Sequence, residues 1–171
     1  MLKDILIVDG YNVIFAWQSL KKLANESLEH ARMELRNQLL NYGKFKGYEV
    51  ILVFDGKYTK SIASIEEITK GFIEVYTDDG ETADSFIERE VFLRQGKYTN
   101  VYVVTSDGAE QNQILGSGGL RIPARELQND VCLAKQEERL QYTHKHHRDQ
   151  MVLRRNEVYD HLAPDVAEKL E

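Results

Sequence analysis

Residues 5–8, Ile-Leu-Ile-Val, form an unbroken apolar run that stops on Asp9 and Gly10. A run with no polar alternation suits a strand covered on both faces, the usual state of a central parallel strand. Residues 50–54, Val-Ile-Leu-Val-Phe, repeat the pattern and stop on Asp55 and Gly56. Two such strands with a helical stretch between them imply a layered α/β arrangement with helices covering the sheet. The terminal acids carry a second implication. Open α/β sheets bind ligands outside the carboxyl ends of their strands, and that is where these carboxylates fall. Asn12 adds a neutral oxygen and an amide near the same rim, and Gly10 allows a sharp turn there. Taken singly, each Asp-Gly pair also reads as an ordinary turn.

The rest of the chain fits this layering. Residues 13–17 are apolar and cover the sheet edge, and residues 21–25 read as a loop. Leu28, Ala31, Leu35, Leu39 and Tyr42 recur at helical spacing, with Ser27 as N-cap and Gly47 as terminator. Residues 57–67 read as a long polar connection carrying Lys57, Tyr58 and Lys60. Residues 72–76 read as a third strand near an edge. The chain turns at residues 77–80 into Glu81 to Asp84, and a helix follows to about Gln95, burying Ala83, Phe86, Ile87 and Val91; Glu81 and Asp84 converge if both are helical. Residues 101–104 make a fourth buried strand, running into Thr105, Ser106 and Asp107 and then a short helix with Glu110 and Gln111. Residues 120–122 make a short fifth strand, and Pro123 opens a last helix. That helix is amphipathic as far as Ala134, with Cys132 on its apolar side. Beyond it, Lys135, Arg139, Lys145, Arg148, Arg154 and Arg155 give a basic stretch. The expected division is a domain over 1–134 and a basic helical extension with a tail over 135–171.

Composition narrows the setting. A chain of 171 residues is long enough for one full hydrophobic core. One cysteine excludes an internal disulfide framework and fits a reducing, cytoplasmic location. No signal-peptide pattern and no membrane-spanning run is visible. The net charge of −6 weighs against bulk nucleic-acid binding but leaves local basic patches open.

The chemistry lies in the acids. Asp9, Asp55 and Asp107 follow strands, Asp84 starts a helix, and Glu81 stands one turn before it. Carboxylates gathered at one rim repel each other, and a divalent cation relieves that repulsion. Oxygen ligands without Cys or His select Mg²⁺ or Mn²⁺, ions that activate water in phosphodiester hydrolysis. Other chemistries fare worse. There is no Walker A sequence, and residues 116–119 lack the Rossmann glycine spacing. A phosphatase with a nucleophilic aspartate wants a second acid where Tyr11 stands. His144, His146 and His147 read as a solvated helix face before a weak metal site.

Taken together, residues 9–12 (Asp-Gly-Tyr-Asn), Phe54-Asp55, residues 81–84 (Glu-Thr-Ala-Asp), residues 105–107 (Thr-Ser-Asp) with Glu110-Gln111, and residues 124–127 (Ala-Arg-Glu-Leu) resemble the bacterial YacP-type NYN family of PIN-like nucleases. The resemblance runs in order from Ile5 to Leu127. It implies a PIN-like three-layer α/β sandwich with a central, mostly parallel sheet of four to five strands, plus the C-terminal helical extension. It also implies a Mg²⁺- or Mn²⁺-dependent endoribonuclease that cleaves mRNA, with the ribosome as partner. By motif match Asp9, Asp84 and Asp107 are the core metal-site acids. Glu81 is then the fourth acid and Asp55 a supporting one. Asn12, Ser106, Lys57, Lys60, Arg148, Arg154 and Arg155 are the expected substrate contacts. The alternatives are a structure-directed DNA nuclease and a catalytically weak RNA- or ribosome-binding module.

Overall fold

The computed structural model describes residues 2–59, 62–106 and 118–160. Two compact units follow one another along the chain, Met1–Ala134 and Lys135–Glu171.

In the first unit, strand β1 (Ile5–Asp9) leads into helices α1 (Gly10–Ala16), α2 (Gln18–Glu26) and α3 (Leu28–Lys46). Strands β2 (Glu49–Phe54), β3 (Ser64–Thr69) and β4 (Phe72–Tyr76) follow, then helix α4 (Ala83–Arg94). Strands β5 (Val101–Thr105) and β6 (Leu120–Pro123) precede helix α5 (Ala124–Asp160). The sheet has six strands in the order β3-β4-β2-β1-β5-β6. Every pairing is parallel except β3 with β4. The central, mostly parallel sheet is therefore larger than the four to five strands expected.

The extra strand is β3, which falls within the expected polar connection. Its side chains are nearly all exposed, and its ladder to β4 carries a register shift between Glu67 and Thr69. An exposed edge strand with two acids leaves no hydrophobic pattern to read, and the irregularity blunts an edge open to further pairing. With β3 outside it, β4 is an interior strand. Three further expectations change. Residues 13–16 and 21–25 belong to α1 and α2, because Val13, Ile14 and Leu20 turn helical faces onto the core, with Trp17 buried at the bend between them. Helix α4 begins after its Thr82 N-cap, leaving Glu81 outside the helix. Cys132 is exposed, since Val131 and Ala134 define the buried face there. Ser27 caps α3 by accepting from the His30 amide, and Gly47 ends it at φ 73°, both as the sequence implies.

Alternation along β1 divides the core. Leu6 and Val8 pack under α1, α2, α3 and the start of α5. Ile5 and Ile7 pack on the opposite face with Phe86, Ile87 and Val91 of α4. The start of α5 is tied down by polar contacts as well. The indole of Trp17 donates to the Ala124 carbonyl at 2.8 Å, and the Tyr42 hydroxyl donates to Asp130. Across the sheet, Arg36 holds the buried carboxylate of Glu74 through two hydrogen bonds of 2.6 Å. In the second unit, the residues of α5 from Gln136 to Glu157 are exposed. Among the described residues no helix is long and apolar enough to cross a membrane.

The two Asp-Gly pairs need glycine for room and not for a left-handed backbone. Gly10 is the first residue of α1, and a Cβ there would lie 2.3 Å from the Phe54 ring. At Gly56 a Cβ would lie 1.9 Å from the Thr77 carbonyl oxygen, a backbone atom. Gly80 has open space around it. Gly56→Ala is therefore expected to cost about 3 kcal/mol or more, and Gly80→Ala to stay within ~0.5 kcal/mol. Urea denaturation of the two variants checks the contrast.

Candidate active site

The order of the sheet reverses at β1. The chain moves from β1 to β2 on one side, and α4 later carries it across to β5 on the other. Carboxyl ends on either side of such a switch point diverge and leave a crevice. Asp9 ends β1 inside that crevice, opposite Val53 and one residue beyond the Val8–Val104 pair. Its carboxylate caps α1, accepting from the Asn12 amide at 3.4 Å and from Asn12 Nδ2 at 2.8 Å. Asp55 follows β2 and caps a short 3-10 turn, Gly56–Tyr58, by accepting from the Lys57 amide at 3.0 Å. The Gly56 amide in turn donates to the hydroxyl of buried Thr77 at 3.0 Å, tying this turn to the end of β4. Asp84 lies in the first turn of α4, where a negative charge favours the helix.

These three acids line one cleft of about 290 Å³ with Asn12 and Lys57. Asp9 is 5% exposed. Its pKa is raised to about 6, chiefly by burial, with the nearby charges of Asp84 and Asp55 adding to the rise and the Asn12 hydrogen bonds opposing it. The cap role read for Asp9 is thus present, but a cap alone does not bury a carboxylate between two others.

The sequence profile of the YacP-like NYN domain matches residues 6–171. The chain belongs to that family. The Bacillus subtilis (strain 168) protein YacP, described as uncharacterized, is 42% identical over 129 residues, 75% of each chain. The crystal structure of Bacillus subtilis Rae1 (YacP) superposes with a TM-score of 0.70 at 35% identity, covering 91% of this chain and 90% of that one. A point mutant of the same protein gives 0.64 at 37% identity, covering 78% and 77%. NYN domains have a PIN-like nuclease fold, and membership supports a nuclease-type function on nucleic acid.

Enzymes of the NYN and PIN-like group generally depend on a divalent metal, and the donor set here fits one. Among the described residues the cleft presents carboxylate oxygens, the ligands of a hard cation, and no thiolate or imidazole. The raised proton affinity of Asp9 reflects its burial first and the like charges of Asp84 and Asp55 after it. Among the described residues no group of three or more His, Cys, Asp or Glu stands close enough to hold an ion. Asp107 lies outside the described residues, as does Lys60.

The remaining candidates of this NYN site are distributed as follows. Glu81 does not line the acid cleft. It pairs with Arg89 and borders a neighbouring groove with Asp78 and Phe86. Ser106 is exposed at the end of β5, where its carbonyl accepts from Arg121 of β6, whose guanidinium also donates to the Thr105 hydroxyl. Lys57 borders the cleft. Arg148, Arg154 and Arg155 are exposed on α5 in the second unit. Sequence reasoning missed Thr77 and Arg121. Thr77 had a faint signal, a polar residue closing an apolar strand. Arg121 had none, because its role depends on β6 lying beside β5.

The pKa of Asp9 gives a stability prediction for the metal-free protein. The folded value of about 6 exceeds the ordinary carboxylate value of 3.8, so the folded state binds more protons between them. Stability is fully present below about pH 4, falls as pH rises towards 6, and levels off above. A shift of this size corresponds to about 3 kcal/mol. Asp9→Asn should flatten that loss, which urea titrations of both proteins from pH 4 to 7 will read out.

Proposed function

We propose that this chain is a Mg²⁺- or Mn²⁺-dependent endoribonuclease that cleaves mRNA, in the cytoplasm and with the ribosome presenting the substrate. The observation that carries the reading is the buried Asp9 carboxylate at the switch point, its proton affinity raised with Asp84 and Asp55 beside it. The family supports nuclease chemistry, and the resemblance extends that to mRNA and the ribosome. Asp9, Asp84 and Asp107 would hold the cation, which supplies water activation and neutralises charge on the phosphodiester. Asn12 orients Asp9, since its side-chain and backbone N–H groups each engage one carboxylate oxygen. Lys57 and Ser106 are the groups proposed to meet substrate phosphates near the cleft. For the fourth acid, Asp55 lines the cleft, and Glu81 is held by Arg89.

Cleavage of an unstructured RNA by the full chain tests the reading. Mg²⁺ or Mn²⁺ should support it and chelation should abolish it reversibly. Asp9→Asn, Asp84→Asn and Asp107→Asn should each lower the rate by 10²-fold or more, with double variants little worse than singles. Asp55→Asn should lower it more than Glu81→Gln. At subsaturating metal the rate should fall towards low pH, because proton and cation compete for the Asp9 carboxylate, and saturating metal should shift that fall to lower pH. Near wild-type cleavage by Asp84→Asn at saturating metal sinks the site. Equal or faster cleavage of a matched DNA favours the structure-directed DNA nuclease instead.

The basic stretch of α5 supports the ribosomal part. Arg139, Lys145, Arg148, Arg154 and Arg155 stand within 17 residues against one acid, Asp149. Each phosphate contact should contribute about one unit to the slope of log affinity against log salt. Arg148→Gln, Arg154→Gln and Arg155→Gln together should lower the slope for ribosome binding by about three. An unchanged slope in sedimentation assays means that this helix face is merely solvated.

A further inference from the structure

Two aromatic rings stand half out of the protein at the rim of the acid cleft. Phe15 is 49% exposed and Tyr58 51% exposed, and they flank Tyr11, which is 4% exposed. Phe15 lies one helical turn after Tyr11 on α1 and stacks on it, with centroids 6.4 Å apart and planes at 26°. Tyr58 meets Tyr11 edge-on at 5.1 Å. The Lys57 ammonium stands 5.1 Å from the centre of the Tyr58 ring. All of these residues line the cleft that holds Asp9 and Asp84.

We propose that the outer face of Phe15 is a stacking subsite for one unpaired base of single-stranded RNA, with Lys57 meeting a flanking phosphate. The proposal rests on the nuclease reading and names the strandedness that the site selects. Tyr11 covers one face of Phe15 and fixes the ring, so its other face offers a platform without loss of rotamer freedom. A flat apolar ring between carboxylates and an ammonium is a poor seat for an apolar protein surface, which needs a continuous patch. It suits a nucleotide, whose base is apolar on its faces and whose phosphate needs a cation. Base–aromatic stacking with a nearby basic group is the usual way of holding single strands without reading sequence. A paired base has both faces covered by its neighbours in the duplex and offers none to Phe15. Lys57, already held over Tyr58, meets the backbone beside the stacked base.

The test is fluorescence anisotropy of a labelled, unstructured RNA octamer bound to the full chain in Ca²⁺, with integrity of the RNA checked on a gel. Phe15→Leu should weaken binding about tenfold with no change in salt slope. Phe15→Trp should keep or improve it. Lys57→Gln should lower the salt slope by about one unit. Annealing the octamer to its complement should weaken binding and remove the sensitivity to Phe15→Leu. With the wild-type protein, a single abasic position moved along the octamer should weaken binding about tenfold at one place, a readout that requires no folded variant. The proposal is overturned by wild-type affinity in Phe15→Leu, by an equal loss on duplex, by abasic substitutions without effect, or by no single-strand binding at low salt. Failure of the wild-type protein to cleave RNA in Mg²⁺ would refute the nuclease reading separately, because stacking is measured by binding.

Discussion

β1 is paired on both edges and covered on both faces. Ile5, Leu6, Ile7 and Val8 are each at most 1% exposed, between β2 and β5 in the plane and between α1–α3 and α4 across it. A strand so enclosed has no freedom to shift register, because a slip of one residue would exchange its two apolar faces and drive Asp9 into the core. Asp9 is therefore delivered to one place, at the end of the central strand and partly shielded from water. Its burial raises the cost of its charge, and Asp84 and Asp55 raise it again. The site's affinity for a proton follows from that enclosure.

Two buried acids in the same sheet show what makes one structural and the other available. Glu74 is 2% exposed and has a guanidinium bound to both its oxygens. That pair is closed, and removing Arg36 would strand the Glu74 charge in the core. Asp9 is nearly as buried, but the described residues give it only the neutral N–H groups of Asn12 and two like charges. Among the described residues folding leaves that carboxylate without the cationic partner that Glu74 has in Arg36. Close packing keeps the arrangement in place. Gly10 admits the Phe54 ring against the start of α1, and Gly56 admits the Thr77 carbonyl against the turn after β2.

The buried strands were legible because full burial leaves a continuous apolar run, as in residues 5–8, 50–54 and 101–104. The long helix α3 was legible from its apolar spacing and both caps. β3 was not, since an exposed edge strand with the pattern Ser-Ile-Glu-Glu-Ile-Thr buries too little to carry a period. The helices after Asp9 were hidden by shortness: α1 has 7 residues, too few for a helical repeat to stand out from an apolar cluster. Cys132 was misjudged by one helical position, because the buried side of α5 there is set by Val131 and Ala134.

Sequence by itself determined the class of fold and the acids available for chemistry, because these depend on residue type and local period. Tertiary structure decided which acids meet. Asp55 comes beside Asp9 and Asp84 because β2 is the parallel neighbour of β1 and α4 starts over the same end of the sheet. Glu81, three residues before Asp84, turns away to Arg89 because α4 begins only after Thr82. Phe15, read as cover for the sheet, stands at the rim because α1 places it one turn beyond Tyr11. Proximity across a sheet depends on strand order and register, which are set by the whole core, and no local stretch of sequence contains them.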